Sequence, residues 1–347
     1  MTKTAKCLVW DLDDTVWHGT LLEGDNLRLR EGVADTMRTL DERGILHSIA
    51  SRNEPEPALA ALRRFGLEDF FLVPQIGWGS KSESIGRIAE RLNIGVDALA
   101  FVDDQPFERD EVAHVHPAVL CLDAALVPDI RGMDAFSPKY VTPESRQRRY
   151  MYRADLQRQK LETSFDGPAD EFLASLGMEM RIAPACEEDL WRAEELTVRT
   201  NQLNTSGETF DREQLAFFME SPDHLLLVAE LTDRYGSYGK IGLALIETGA
   251  ADWTIRLLLM SCRVMSRGVG GVLIQHIREM ARQEGVALRA RFVSTPRNRM
   301  MYVTYKMNAF NEIGRDGDLV ELQNDLDRVM RIPDYVRLNA RVTAGAA

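Results

Sequence analysis

The sequence predicts an α/β protein: a doubly wound parallel sheet followed by a second α/β unit. Three observations predict it. Residues 1–130 alternate short apolar runs with amphipathic stretches, the pattern of a parallel sheet covered by helices on both faces. A strongly basic stretch then breaks the alternation. Beyond it, strand-like runs joined by Gly- and Asp-bearing turns resume in a different order. The length of 347 residues suits two domains better than one. The expected division is 1–140, a helical connector at 141–164, and 165–347.

Taken in order, "KCLVWDLD" reads as a strand, "EGVADTMRTLDERG" as a helix closed by Gly44, and "ILHSIAS" as a strand. "EPEPALAALRRFG" is a helix ending at Gly66, "FFLVPQI" a strand, "KSESIGRIAERLN" a helix, "LAFVDD" a strand and "VLCLD" one more. Thr142–Pro143–Glu144 opens the connector helix, with Pro at its first position. In the second half "MEMRIAP" is a strand, and "EEDLWRAEELTVRT" and "REQLAFFMES" are helices. "HLLLVAEL" and "IGLALIE" form a hairpin, "WTIRLLLMSCRV" is a long strand, and "SRGVGGVLIQHIREMARQEG" is a Gly-rich turn opening a helix. "VALRARFVS" and "LVELQ" close the sheet around a further helix.

Composition excludes several classes. A net charge of −12 argues against nucleic-acid binding, which needs a basic face. No apolar run approaches the ~20 residues that cross a bilayer. The start "MTKTAKCLVWD" has no signal-peptide h-region. Four cysteines, Cys7, Cys121, Cys186 and Cys262, lack CxxC spacing, so a zinc site is not expected and a reduced, cytoplasmic location is. The tail "TAGAA" is expected to fray.

The chemistry starts at "VWDLDDTVWHG". Asp11, Asp13 and Asp14 crowd like charges after an apolar strand, which calls for a solvated turn or a bound cation. Ser51, Lys81 and Asp103–Asp104 follow at later strand or helix ends, and ligands in such sheets sit at the carboxyl ends of the strands. A carboxylate can attack phosphorus, and a second one two residues on can move the proton. Mg²⁺ takes oxygen ligands and keeps several waters, while a hydroxyl and a lysine hold the phosphoryl oxygens.

This set resembles the haloacid dehalogenase (HAD) superfamily of phosphatases: "DLDDT", Ser51, Lys81 and "DD" stand as its four motifs. The resemblance implies Asp11 as nucleophile and Asp13 as acid/base. Mg²⁺ would be held by Asp11, the Asp13 backbone carbonyl and Asp103 or Asp104, and phosphate by Ser51, Arg52, Asn53 and Lys81. Only about three dozen residues separate the first two motifs, so "WHGTLLEGDNLRLR" makes a flap and the fold is capless. His18 in that flap is read as a surface residue.

In the second half, Gly268 and Gly270 of "SRGVGG" offer free amides at a helix N-terminus. They are similar to the pyrophosphate loop of GCN5-type N-acetyltransferases, making the unit GNAT-like. Met265 stands where that family has Gln or Arg, which points from ordinary acetyl-CoA toward a single phosphate, such as that of a phosphopantetheine arm. A plain helix start explains the glycines equally. Cys262, with Arg263 and Arg267 beside it, is placed as a thiolate nucleophile or as a small buried hydrophobe. Arg199, Asn201, Gln202 and Asn204 suit hydrogen bonding to substrate or local turn formation.

Together the halves resemble the FkbH-like family of polyketide pathways, through "CLVWDLDDTVWHGTLLEGD", "SRNEPEPAL", "KSESI", "FVDDQPFERDEV", "RTNQLN" and "SCRVMSRGV". The resemblance implies capture of the acyl group of 1,3-bisphosphoglycerate, removal of a phosphate and loading of glyceryl onto an acyl carrier protein, for methoxymalonyl-type extender units. Some relatives have "DCDNT" where this chain has Leu12 and Asp14, so here the acyl thioester falls to Cys262. Arg146, Arg148, Arg149 and Arg153 of the connector suit a solvated helix face, or an acidic carrier protein. The competing reading is a Mg²⁺-dependent small-molecule phosphatase whose rear domain only binds or dimerises.

Overall fold

A computed structural model describes residues 4–24, 26–200 and 203–340, apart from the side chains of Arg199 and Cys262. The chain divides into two compact units, Met1–Leu156 and Gln157–Ala347. The α/β class expected from the sequence is the one observed in both.

The first unit begins with β1 (Cys7–Trp10) and a small hairpin, β2 (Trp17–His18) with β3 (Arg28–Leu29). There follow α1 (Val33–Glu42), β4 (Leu46–Ser51), α2 (Pro55–Arg64), β5 (Gln75–Ile76) and α3 (Lys81–Leu92). β6 (Leu99–Asp103), α4 (Pro106–Val115) and β7 (Leu120–Asp123) complete a parallel sheet of order β5-β4-β1-β6-β7. Alternation along β1 explains the double winding. Leu8 and Trp10 face Met37 and Leu40 of α1 and Leu62 of α2, whereas Cys7 and Val9 face Ile85 and Ile88 of α3 and Val112 of α4. A strand covered on both faces must be apolar throughout. The order reverses at β1, between β4 and β6, so the crevice for a ligand opens beyond the carboxyl end of β1.

The expected strand "FFLVPQI" forms only at its end. Phe71 makes an isolated bridge to His47, Val73 sits at φ 51°, and Gln75–Ile76 alone pairs with β4. A left-handed β-branched residue followed by Pro74, which has no N–H, breaks the ladder.

His47 is wholly buried. Trp10 Nε1 donates to its Nδ1 at 3.0 Å, and its Nε2 lies 3.0 Å from the Met37 carbonyl, so the neutral Nε2–H tautomer satisfies both partners. Burial pulls its pKa down to about 4. Below about pH 6.5 the unfolded imidazole takes a proton that the folded one refuses, so stability falls with pH, by on the order of 2 kcal/mol at about pH 5. His47→Gln is expected to flatten the urea midpoint between about pH 7 and about pH 5; an unchanged slope would show that other groups carry it.

α5 (Pro143–Ser164) carries the basic stretch. Arg149 donates to both Asp41 oxygens at 2.9 and 3.1 Å, Arg153 reaches Asp69 at 3.2 Å, and Arg148 donates to the Gly44 carbonyl. These three arginines bind the first unit's own groups. Arg149 is buried and Arg148 half-buried, while Arg146 and Arg153 stay exposed on the helix.

The second unit comprises α6 (Ala169–Leu176), β8 (Met178–Pro184), α7 (Leu190–Arg199), α8 (Arg212–Glu220), β9 (His224–Asp233) and β10 (Gly236–Thr248). β11 (Asp252–Met260), α9 (Val269–Glu284), β12 (Ala287–Val293), α10 (Arg299–Met307), β13 (Phe310–Asp316), β14 (Leu319–Asn324) and β15 (Val336–Ala340) follow. The sheet order is β13-β14-β12-β11-β10-β9-β8-β15. β13 and β15 flank the sheet without having been read in the sequence. Arg158, 1% exposed, donates to both Asp233 oxygens at 2.7 Å and lies over the Tyr238 ring. Among the described residues no helix is long and apolar enough to cross a membrane.

β11 and β12 pair in parallel only as far as Ile255 and Ala290. Beyond that the chain's own Leu203–Thr205 lies between them: Thr205 N donates to Leu258 O at 3.0 Å, and Met260 N to Leu203 O and Val293 N to Thr205 O at 2.9 and 2.8 Å. And β11 ends at Met260, so Cys262 belongs not to the strand but to a 3₁₀ turn, Cys262–Arg267, leading into α9.

Candidate functional sites

In the first unit the crevice beyond β1 holds the acidic residues. Asp11 follows β1, Asp103 ends β6 and Lys81 opens α3, whose start is fixed by Ser80 Oγ accepting from Glu83 N at 3.2 Å. The three side chains are 7%, 1% and 4% exposed. Lys81 Nζ donates to Asp11 Oδ1 and, at 2.9 Å, to Asp103 Oδ2. Carboxyl oxygens of Asp11, Asp103 and Asp104 all lie within 4.8 Å of one another. Three carboxylates against one ammonium leave an excess of negative charge at a secluded spot, and every donor is oxygen. That is the set a hard divalent cation takes.

The electrostatics agree. Burial pushes the Asp11 carboxyl up to about 7, opposed by Lys81 and reinforced by Asp103. Burial also works to discharge Lys81, but Asp11 and Asp103 outweigh it and hold the ammonium above its usual value. Asp104, half exposed, is raised by burial and by Asp103. Added positive charge would favour the ionised form of each carboxyl.

Asp13 is arranged differently. Its Oδ1 accepts from Trp17 Nε1 at 2.8 Å and from Leu21 N at 3.1 Å, and its Oδ2 accepts from Asn53 Nδ2 at 2.9 Å. Its carboxylate is outside the three-residue acidic cluster. Trp17 anchors the flap: it is wholly buried and stacks on Phe65, while His18 beside it is exposed. Asp14 is a turn residue, at φ 49° with its Oδ1 accepting from Gly19 N at 2.9 Å. Thr15 Oγ1 accepts from Asp104 N at 3.1 Å, tying the first motif to the fourth.

Of the residues expected to hold phosphate, Ser51 is buried at the end of β4. Arg52 pairs with the buried Glu108 at 2.8 Å. Asn53, wholly buried, uses its amide nitrogen on Asp13 and leaves Oδ1 without a partner among the described residues. Asn53→Ala is therefore expected to lower kcat about 10- to 100-fold with little change in KM, because Asp13 loses its alignment. A rise in KM alone would assign Asn53 to phosphate binding instead. Neither the Trp17 nor the Asn53 contact to Asp13 follows any sequence spacing that would have announced it.

In the second unit a cavity of about 320 Å³ opens over the start of α9. Gly268 and Gly270 line it, with Met260, Met265, Met300, Met301, Met307 and Met330 as its apolar wall. Gly268 is required: it sits at φ +70°, and a Cβ there would come 2.6 Å from the Tyr335 hydroxyl. The polar side chains expected alongside are engaged elsewhere. Asn204 is 2% exposed and builds its own turn, Oδ1 accepting from Ser206 N and Gly207 N at 3.1 and 2.9 Å. Arg263 donates to the Tyr238 carbonyl. Arg267 is buried against Glu162, 3.1 Å away, and Phe172. Local turn formation was one of the two readings of Asn204, and it is the one the geometry displays.

Asn201 and Gln202 lie outside the described residues, as do the side chains of Arg199 and Cys262. The other three cysteines are poor nucleophiles: burial raises the thiols of Cys7 and Cys121, the latter to about 11, and a hydrogen bond to Asp189 raises that of Cys186. The methionine wall was not legible, since its members lie far apart in the sequence.

No family model matches the chain, and no curated protein does. Among solved structures, the chain is similar to the N-terminal part of the protein BF1531 from Bacteroides fragilis, containing a phosphatase domain complexed with Mg. The two are 29% identical over 35% of this chain and 36% of that one, with a TM-score of 0.31. The match thus spans about a third of that protein's length. The ribosomal-protein-S18-alanine N-acetyltransferase of Escherichia coli is 16% identical over 42% of this chain and 92% of its own, TM-score 0.34. The PaiA N-acetyltransferase of Thermoplasma acidophilum, in complex with coenzyme A, is 15% identical over 42% and 98%, TM-score 0.32.

Proposed function

We propose that the chain is a bifunctional glyceryltransferase and phosphatase that charges an acyl carrier protein for methoxymalonyl-type extender synthesis. The observation that carries the phosphatase half is the buried Asp11–Lys81–Asp103 cluster with Asp104 beside it. Asp11, Asp103 and Asp104 would hold Mg²⁺, which supplies positive charge at the phosphoryl oxygens when bound.

The chain's own residues then divide the work. The Cys262 thiolate attacks the acyl carbon of 1,3-bisphosphoglycerate; the C–S bond forms, the anhydride C–O bond breaks and inorganic phosphate leaves. On the resulting phosphoglyceryl thioester, Asp11 attacks phosphorus as the ester P–O bond breaks, and Asp13 protonates the departing alkoxide. Asp13 next takes a proton from water as that water attacks the aspartyl phosphate, releasing phosphate and Asp11. Transfer of the glyceryl group to a phosphopantetheine thiol regenerates Cys262. The glycine-rich, methionine-walled cavity supports a binding role for the arm: flexible thioethers adapt to a flexible chain.

Intact-mass measurement on protein incubated with 1,3-bisphosphoglycerate tests this reading. An acyl adduct in the parent chain that is missing in Cys262→Ala is expected. Phosphate release without an adduct supports the second reading instead, a Mg²⁺-dependent small-molecule phosphatase with a binding unit behind it. That reading is favoured by one observation, the engagement of Asn204, Arg263 and Arg267 with their own chain.

A further inference from the structure

The chain carries a net charge of −12, yet between Glu284 and Glu312 it holds no acidic residue and five basic ones. Two of the five are used internally: Arg289 pairs with Asp252 at 3.3 Å and Arg291 with Glu247 at 3.6 Å. Arg297, Arg299 and Lys306 are exposed, and among the described residues none forms an ion pair with them. Glu312, on which Lys306 acts from beyond ion-pair distance, is held by Arg315 at 2.9 Å.

α10 sets two of these charges beside the cavity over the start of α9. Its helical period sorts the side chains into stripes. Met301 and Tyr305 are buried in the core, and Met300, Thr304 and Met307 line the cavity. Arg299, Val303 and Lys306 each precede a cavity-lining residue, so they run about 100° round the helix from that wall, along its edge. Met300 and Met307 stay 53% and 70% exposed, which carries the apolar wall out to the surface next to the charges. The lining itself holds Arg331 and, among the described residues, no carboxylate.

What docks there follows from charge and continuity. An acidic chain repels an acidic partner unless a local patch reverses the field. Basic groups edging an apolar opening therefore suit an acidic surface that delivers a flexible arm into it. The arm's destination is near in the chain: Val264 and Met265 of the lining belong to the 3₁₀ turn that starts at Cys262. We infer that Arg297, Arg299 and Lys306, with the exposed Met300 and Met307, form the docking surface for an acidic acyl carrier protein whose phosphopantetheine arm enters the cavity. This inference rests on the proposed function. It places carrier recognition on α10 of the second unit and not on the connector, where Arg149 is spent on Asp41.

The test charges the full chain with 1,3-bisphosphoglycerate and measures glyceryl transfer to three thiols. These are the holo acyl carrier protein of fatty-acid synthesis, coenzyme A and free pantetheine. The parent is expected to favour the carrier by kcat/KM, and to lose that advantage as salt rises from about 0.05 to about 0.3 M. Arg299→Glu combined with Lys306→Glu is expected to lower the carrier-to-pantetheine ratio at least about tenfold, mostly through KM. Arg146→Glu, on the exposed side of the connector, is expected to keep the ratio. Transfer to none of the thiols overturns the proposed function and this inference with it. With transfer intact, a parent that does not favour the carrier, or a double variant that still does, overturns the docking surface alone. If coenzyme A matches the carrier and falls with it in the double variant, the stripe reads a nucleotide's phosphates and the carrier assignment fails. A fall in Arg146→Glu without one in the double variant moves docking to the connector. Because Arg299 and Lys306 are exposed, an unchanged thermal midpoint is expected, and it separates lost docking from lost folding.

Discussion

Asp11→Asn is expected to reduce release of the ester phosphate at least about 10³-fold, because an amide cannot attack phosphorus and no neighbouring group replaces it. The substitution is close to isosteric, and the amide oxygen can still accept from Lys81, which now holds Asp11 Oδ1. It also removes a buried carboxyl that burial, reinforced by Asp103, pushes up to about 7. Loss of rate from misfolding is thus the less natural outcome, and unchanged unfolding of the first unit should accompany the loss of activity. Asp13→Asn provides the comparison. Its carboxylate is held by Trp17, Leu21 and Asn53 outside the acidic cluster, so the loss should be that of an acid/base group, about 10²- to 10⁴-fold. The double variant should be little worse than Asp11→Asn alone, since the two groups serve one step. Release of the ester phosphate from Asp11→Asn at near the parent rate would remove Asp11 from the role of nucleophile. With 1,3-bisphosphoglycerate, the same variant is expected to retain a phosphorylated acyl adduct, visible by intact mass.

The first site was legible because its signals are local and physically costly. A carboxylate straight after a buried strand, as at Asp11 and Asp103, has few bland explanations, and the strand–helix alternation places both at one rim. Asp14 shows the limit of that logic: the same run of acids contains one residue that only makes a turn. The resemblance implies Arg52 and Asn53 as phosphate ligands; their partners in the fold, Glu108 and Asp13, lie 56 and 40 residues away in the chain. Long-range pairing of this kind leaves no periodicity. The partners of Arg149 and Arg153 in the connector were hidden for a related reason. A basic helix looks solvated until Asp41 and Asp69 are brought beside it by the fold. In the second unit the glycines at Gly268 and Gly270 were visible as a turn into a helix, but the cavity they open onto is walled by methionines from four separate segments. Apolar residues scattered over seventy positions look like ordinary core.

Lys81→Met is expected to cost the first unit about 3 kcal/mol when no divalent cation is present, within the usual range for breaking a buried ion pair. Asp11 and Asp103 would face each other across an apolar side chain with no ammonium between them, and both are nearly inaccessible to water. Two remedies remain, and both are measurable as shifts in the urea midpoint. The first is protonation. A carboxyl whose folded pKa is raised binds protons that the unfolded chain does not, so the variant should regain stability as pH falls from about 7.5 toward about 5, the reverse of the trend from His47. The second is Mg²⁺, which would take over the neutralising role of the lysine. Mg²⁺ should therefore raise the variant's midpoint by more than it raises the parent's, since binding to the folded state alone stabilises it in proportion to affinity. An equal rise in both would mean that cation and lysine do not share these carboxylates, and the assignment of Asp11 and Asp103 as metal ligands would fail with it. Activity should not return with stability. Lys81 is also placed to hold a phosphoryl oxygen as charge builds there, and a methionine restored to a folded site still offers no such donor.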